Sequence, residues 1–123
     1  QTVTIIPGMA PDDERLAAAY GQADRFILPS QHEPFGIVVL EAWSAGAPVI
    51  ASGVGGLGRL VEDGVNGTKF TAGDLDSLLD AYDRSPDRGS AVCANALREV
   101  ELKYDWKTIT GKLRDFYTEV ING

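Results

Sequence analysis

The chain has 123 residues, enough for one small domain with a real core, since a chain of this size buries roughly two-thirds of its unfolded surface. Its net charge of −7 argues against nucleic acid and against peripheral association with a strongly anionic membrane, both of which select a basic face; no apolar run approaches the ~20 residues of a membrane span. Cys93 is the only cysteine, so no internal disulfide can form, which fits a reducing, cytoplasmic setting.

Residues 2–6 are β-branched and apolar and read as a strand, broken by Pro7-Gly8. Asp12 or Asp13 caps a helix to about Gly21, with acids in the first turn, where the helix dipole favours them. Leu16, Ala19 and Tyr20 form its expected inner face. Residues 25–28, ended by Pro29, make a short buried strand. Residues 36–45 are apolar on nearly every face and stop at Gly46, the pattern of a buried helix. Residues 49–52 are the next strand, entered through Pro48. Residues 53–56 (GVGG) are a glycine-rich turn into a short helix over 57–62. Asp63-Gly64 and Asn66-Gly67 are turn dipeptides, and residues 68–70 a short strand. Asp74 caps a helix to about Arg84, with Leu75, Leu78, Leu79 and Tyr82 on one stripe, and Pro86 breaks it. Residues 90–102 form another helix with Val92, Ala96, Leu97 and Val100 inward. Residues 106–121 form the last, with Ile109, Leu113, Phe116, Tyr117 and Val120 at helical spacing.

Strands alternating with helices predict an α/β domain: a Rossmann-like parallel sheet of about four strands flanked by helices. In such sheets ligands sit at the carboxyl ends of the strands. The loops there are residues 7–10, 29–35 and 52–57 and the turn after Phe70. The residues with chemistry to offer fall in the same places. Glu41 is the one charge inside the apolar helix, about five residues from its start, or ~7.5 Å. A buried carboxylate without a partner costs on the order of several kcal/mol, so something must meet it: a protein donor, or a ligand with vicinal hydroxyls. Glu33 alone reads as an exposed loop acid. Phe35, Gly36 and Ile37 open the helix, where free N–H groups make an anion site and glycine allows close approach. Gly55-Gly56 is a second such opening or a plain turn; Arg59 beyond it is a local cation or a solvated one. His32 is the only histidine and has no acid or thiol relay in sequence, so triad hydrolysis and a zinc site are not expected. No phosphate-loop lysine is present, against an NTPase.

Glu33 and Glu41 also frame a pattern, E-x7-E, filled as EPFGIVVLE; FILPS stands before it, and GAPVIAS, VGGL and VEDGVNG follow. Five ordered motifs at these spacings resemble the C-terminal, nucleotide-sugar-binding half of a retaining GT-B glycosyltransferase of the glycogen-synthase and mannosyltransferase-like group 1 family. The resemblance runs from about Val3 to the C-terminus, with residues 28–67 as its core. It implies that residues 1–123 are a single, partial GT-B donor-binding domain that binds a nucleoside-diphosphate sugar for hexose transfer to an acceptor hydroxyl. It places Glu33 at the donor sugar, stabilising positive character at the anomeric carbon rather than attacking it. It places Phe35, Gly36 and Ile37 at the diphosphate and sugar hydroxyls, and Glu41 at the ribose. Gly55, Gly56 and Arg59 are secondary donor contacts; relatives commonly carry an acid where Arg59 stands. No metal or other cofactor is expected, because helix N-termini and basic side chains serve the diphosphate in this family.

The resemblance further implies two strand–helix units before Gln1, with an Arg and a Lys for the diphosphate, and a separate acceptor domain. The 123-residue chain alone is therefore expected to transfer no sugar. A non-catalytic, self-associating module that binds nucleotide sugar weakly or not at all is the alternative, and a sugar-nucleotide epimerase a weaker third. The same comparison leaves the strand at residues 2–6 without its usual neighbours. It is expected to move in beside residues 25–28 through a right-handed crossover, or two chains pair their open edges as a homodimer.

Overall fold

The structure, a computed structural model, describes residues 3–8 and 13–103; the helix expected over 106–121 lies outside them. Three parallel strands, β1 (Phe26–Leu28), β2 (Val49–Ser52) and β3 (Thr68–Phe70), form a sheet in the order β1-β2-β3. Phe26 stands opposite Val49 and Ile50 opposite Thr68. The helices are α1 (Glu14–Gln22), α2 (Ile37–Ser44), α3 (Gly55–Leu60), α4 (Leu75–Arg84) and α5 (Ala91–Lys103).

All four residues of the central strand β2 are buried, as the continuous apolar run of a strand covered on both faces requires. Its side chains divide the core. Val49 and Ala51 join Val39, Leu40 and Trp43 of α2, Leu57 of α3, and Ala96 and Val100 of α5. Ile50 turns to the other face, against Phe70 and against Leu78 and Ala81 of α4. The sheet thus lies between α2, α3 and α5 on one side and α4 on the other. Trp43 is the largest fully buried side chain among the described residues, in keeping with a packing role. Helix starts follow the sequence signals: Asp13 accepts from the Arg15 N–H at 2.8 Å and Asp74 from the Ser77 N–H at 3.1 Å.

Four expectations are corrected. The sheet has three strands among the described residues, not about four, because Val3 to Ile6 form no strand and lie beside no ladder partner. Val3 is 90% and Ile5 84% exposed. β-branched composition favours a strand only where a pleated surface exists to pack against, and none meets it among the described residues, where β1 is the sheet edge. The stripe of α4 is also turned. Leu75, Leu79 and Tyr82 are exposed, and the helix meets β3 through Leu78 and Ala81 instead. Alanine lets the helix axis approach the strand, and the adjacent leucines then fall outside the contact. For the same reason Leu97 of α5 is exposed while Cys93 takes a buried place. Finally, α3 begins at Gly55 rather than Leu57, and it opens through a left-handed glycine, since Gly55 has φ +50°.

Candidate functional site

The loop after β1 crosses the carboxyl end of the sheet to reach α2, and three neighbours pin it. The buried Ser52 hydroxyl, at the end of β2, lies 2.5 Å from the Ser30 carbonyl oxygen and 3.3 Å from that of Leu28. The Gly56 N–H donates to the Glu33 carbonyl at 2.8 Å. The Glu33 carboxylate turns back and accepts from the Gly36 N–H at 3.2 Å. Gly36 is the residue before the first turn of α2, with φ +69°, in the left-handed region that favours glycine. A Cβ there would also come within 2.9 Å of Leu60 and 3.1 Å of Leu57. The N–H groups of Ile37 and Val38, at the first two helical positions, have no acceptor inside their helix.

Glu33, Gly36, Gly55 and Gly56 are thus brought together. A depression of about 250 Å³ lies beside them, lined by Gln31, His32, Glu33, Pro34 and Gly55. Phe35 stands at its margin in sequence and is 37% exposed; Ile37 is half-buried against the core. Arg59 is exposed on the last turn of α3 and does not line this depression. A second depression, about 490 Å³, opens where β2 and β3 end, next to Gly53, Lys69, Thr71 and Ser77. Its charges are engaged within the protein: the Lys69 ammonium donates to the Gly58 carbonyl and Asp63 pairs with Arg84.

Glu41 is half-buried and not among the residues lining the first depression. Its partner is Tyr20 of α1, whose hydroxyl donates to Glu41 Oε2 at 3.0 Å. The Tyr20 ring packs against Phe26, centroids 5.4 Å apart. Burial, then the adjacent Glu41 charge and the hydrogen bond to it, push the Tyr20 phenol pKa well above its ordinary value, so the hydroxyl is a proton donor throughout the physiological range. The sequence demands a partner for Glu41 and puts Tyr20 on the inner face of its helix, but spacing does not join residues 21 apart.

Arg88 is the other residue that sequence reasoning missed. Its guanidinium donates to the Tyr20 and Ala23 carbonyls at 3.2 and 2.7 Å, and to that of Ala45 at 2.7 Å. One cation therefore closes the C-terminal ends of α1 and α2, where carbonyls lack helical partners and the dipole favours positive charge. Among the described residues, no cluster of three or more His, Cys, Asp or Glu is placed to hold a metal ion, and no helix is long and apolar enough to cross a membrane.

The parallel sheet flanked by helices has the α/β architecture of the GT-B glycosyltransferases that are its structural neighbours. The model of the family described as Glycosyl transferases group 1 matches residues 1–85, and the chain belongs to that family. It is 39% identical over 128 residues to the D-inositol 3-phosphate glycosyltransferase of Rhodococcus erythropolis, covering 98% of this chain and 27% of that protein. It is 34% identical over 119 residues to the sulfoquinovosyl transferase SQD2 of Arabidopsis thaliana, covering 90% and 22%. Among solved structures it is similar to sucrose-phosphate synthase from Thermosynechococcus elongatus, with TM-score 0.71 and 32% identity over 89% of this chain and 28% of that one. It is also similar to Anabaena HepE in complex with UDP, with TM-score 0.65 and 28% identity over 81% and 29%. The chain thus spans 22–29% of the length of these relatives.

Proposed function

We propose that this chain forms part of the donor site of a retaining glycosyltransferase, holding a nucleoside-diphosphate sugar while its hexose passes to an acceptor hydroxyl. In that reaction the bond from the anomeric carbon to the diphosphate oxygen breaks and a bond to the acceptor oxygen forms. The acceptor proton is lost and the nucleoside diphosphate leaves. The observation that carries the reading is the gathering of Glu33, the start of α2 and the Gly55-Gly56 opening at one end of the sheet. The family match supports it, and so do the relatives solved with UDP and with UDP-glucose.

In this reading the N–H groups at the start of α2, near Phe35, Gly36 and Ile37, face the diphosphate. Glu33 contacts the donor sugar and stabilises positive charge at the anomeric carbon; Glu41 holds the ribose hydroxyls. Gly55 and Gly56, which let the Glu33-Pro34 backbone lie against the start of α3, are secondary donor contacts, and Arg59 is a secondary cation. The leaving diphosphate is served by backbone and basic side chains rather than by a metal, in a reducing, cytoplasmic setting.

One observation favours the alternative of a module that binds nucleotide sugar weakly or not at all. Both carboxylates already accept from protein donors, Glu33 from Gly36 and Glu41 from Tyr20. Calorimetric titration of the chain with UDP and UDP-glucose separates the two readings. Saturable binding, unchanged by EDTA, is expected. Glu41→Ala should weaken UDP by ~1–3 kcal/mol, the scale of a hydrogen bond to a charged group. An unchanged dissociation constant removes Glu41 from the ribose, no binding by the wild-type chain supports the alternative, and loss of affinity in EDTA refutes the metal-free donor site.

A further inference from the structure

Glu41 has two carboxylate oxygens, and the protein uses them unequally. Oε2 accepts the Tyr20 hydroxyl proton, whereas Oε1 has no hydrogen-bond partner among the described residues. A free carboxylate on a helix rotates about its side-chain torsions; one held at a single oxygen by a fixed donor keeps the other aimed in one direction. The donor is itself fixed three ways. The Tyr20 ring packs on Phe26 and on the core beneath α2. Its main-chain carbonyl accepts from Arg88. Arg88 at the same time grips the far end of α2 at Ala45, so the helix that carries Tyr20 and the helix that carries Glu41 are tied at their ends.

We infer that Tyr20 is a positioning residue for nucleotide recognition: its hydroxyl fixes Glu41 so that the remaining oxygen accepts from the vicinal hydroxyls of the donor ribose. The inference rests on the ribose role proposed for Glu41 and deepens it. Tyr20 touches no ligand atom itself. It is the protein partner that a half-buried carboxylate calls for, and it leaves one oxygen over.

The test compares UDP with its 2′,3′-dideoxy analogue, which lacks the hydroxyls in question, in the wild-type chain and in Tyr20→Phe. The substitution keeps the ring and its packing on Phe26. The wild type is expected to favour UDP. In the variant the UDP affinity is expected to fall about 3- to 10-fold, the scale of one hydrogen bond, while the dideoxy affinity stays put, so the preference narrows. A role confined to the fold would weaken both ligands equally, and that result overturns the inference, as does a variant that binds both like the wild type. If the wild type itself does not discriminate the two ligands, the ribose role of Glu41 fails first and takes the inference with it. A second measurement needs no variant. With 13Cζ-labelled tyrosine, UDP should move the Tyr20 resonance as Glu41 Oε1 gains donors, and the dideoxy analogue should not. A Tyr20 signal that ignores UDP at saturation counts against the inference even if Tyr20→Phe does not fold.

Discussion

Gly56→Ala is expected to destabilise the domain by about 3 kcal/mol, the upper end of what overpacking a filled core site costs. A Cβ on Gly56 would overlap the Pro34 carbonyl oxygen and stand 2.8 Å from the Pro34 carbonyl carbon and 3.0 Å from the Glu33 oxygen. These neighbours are backbone and cannot swing aside as a flexible side chain would. Either α3 or the residue 33–36 loop must give way. α3 is anchored by Leu57, which is wholly buried, so the loop moves. With it go the hydrogen bond from the Gly56 N–H to the Glu33 carbonyl and the geometry that lets the Glu33 carboxylate reach the Gly36 N–H. Thermal unfolding should show a midpoint lowered by roughly 10 °C for a domain of this size, with UDP binding lost where the variant is still folded. Gly64→Ala is the comparison. Gly64 has φ +79° and nothing within 4 Å of the place a Cβ would take, so its substitution carries only backbone strain of roughly 1–2 kcal/mol. If Gly56→Ala is no worse than Gly64→Ala, close approach is not what that position requires.

This contact explains why part of the site was legible and part was not. The chemistry of residues 33–37 and the GVGG stretch could be read locally. An acid, a proline and a glycine stand before an apolar helix, and paired glycines follow a buried strand. What the sequence did not state is that the two stretches touch, that α3 already begins at this pair, and that the Glu33-Pro34 backbone lies against both glycines, Gly55 also taking a left-handed φ of +50°. The strands β2 and β3 and the Asp74 cap were legible because each is set by its immediate neighbours. The strand expected at residues 2–6 failed because β-branched residues report what a segment would do on a sheet and not whether a sheet is beside it. The outward turn of Leu75, Leu79 and Tyr82 has a similar origin. A helix rich in leucine offers two adjacent apolar faces, and the small Ala81 decides which one docks. Glu41 announced that it needed a partner, but Tyr20 is named only by the packing of α1 on α2.

Arg88 had no sequence signature at all, standing alone in a polar connection after Pro86, yet Arg88→Met is expected to have the second-largest effect. Methionine keeps much of the apolar stem and removes the donors to Tyr20, Ala23 and Ala45. Charge-assisted hydrogen bonds of this kind contribute about 1.5–3 kcal/mol when buried. Arg88 is only half-buried, so solvent screening reduces the total, and about 2 kcal/mol is the expected loss. It should not be spread evenly. α1 contains no buried residue, and among the described residues the Tyr20 contacts and Arg88 tie it to the rest of the domain. Segments with few buried contacts open below the global unfolding free energy. Amide hydrogen exchange in α1 should therefore accelerate about 30-fold, the factor corresponding to 2 kcal/mol, while β2 and the buried positions of α5 change far less. Acceleration of the same size in α1, β2 and α5 would mean that Arg88 supports the whole domain and not one joint. The functional consequence follows from the chain of contacts. If Arg88 holds α1, α1 holds Tyr20 and Tyr20 holds Glu41, then Arg88→Met should lose the preference for UDP over its dideoxy analogue although Arg88 itself is bonded to helix ends and not to the ligand. An Arg88→Met chain with loosened α1 amides and an intact ribose preference would break that sequence at Tyr20.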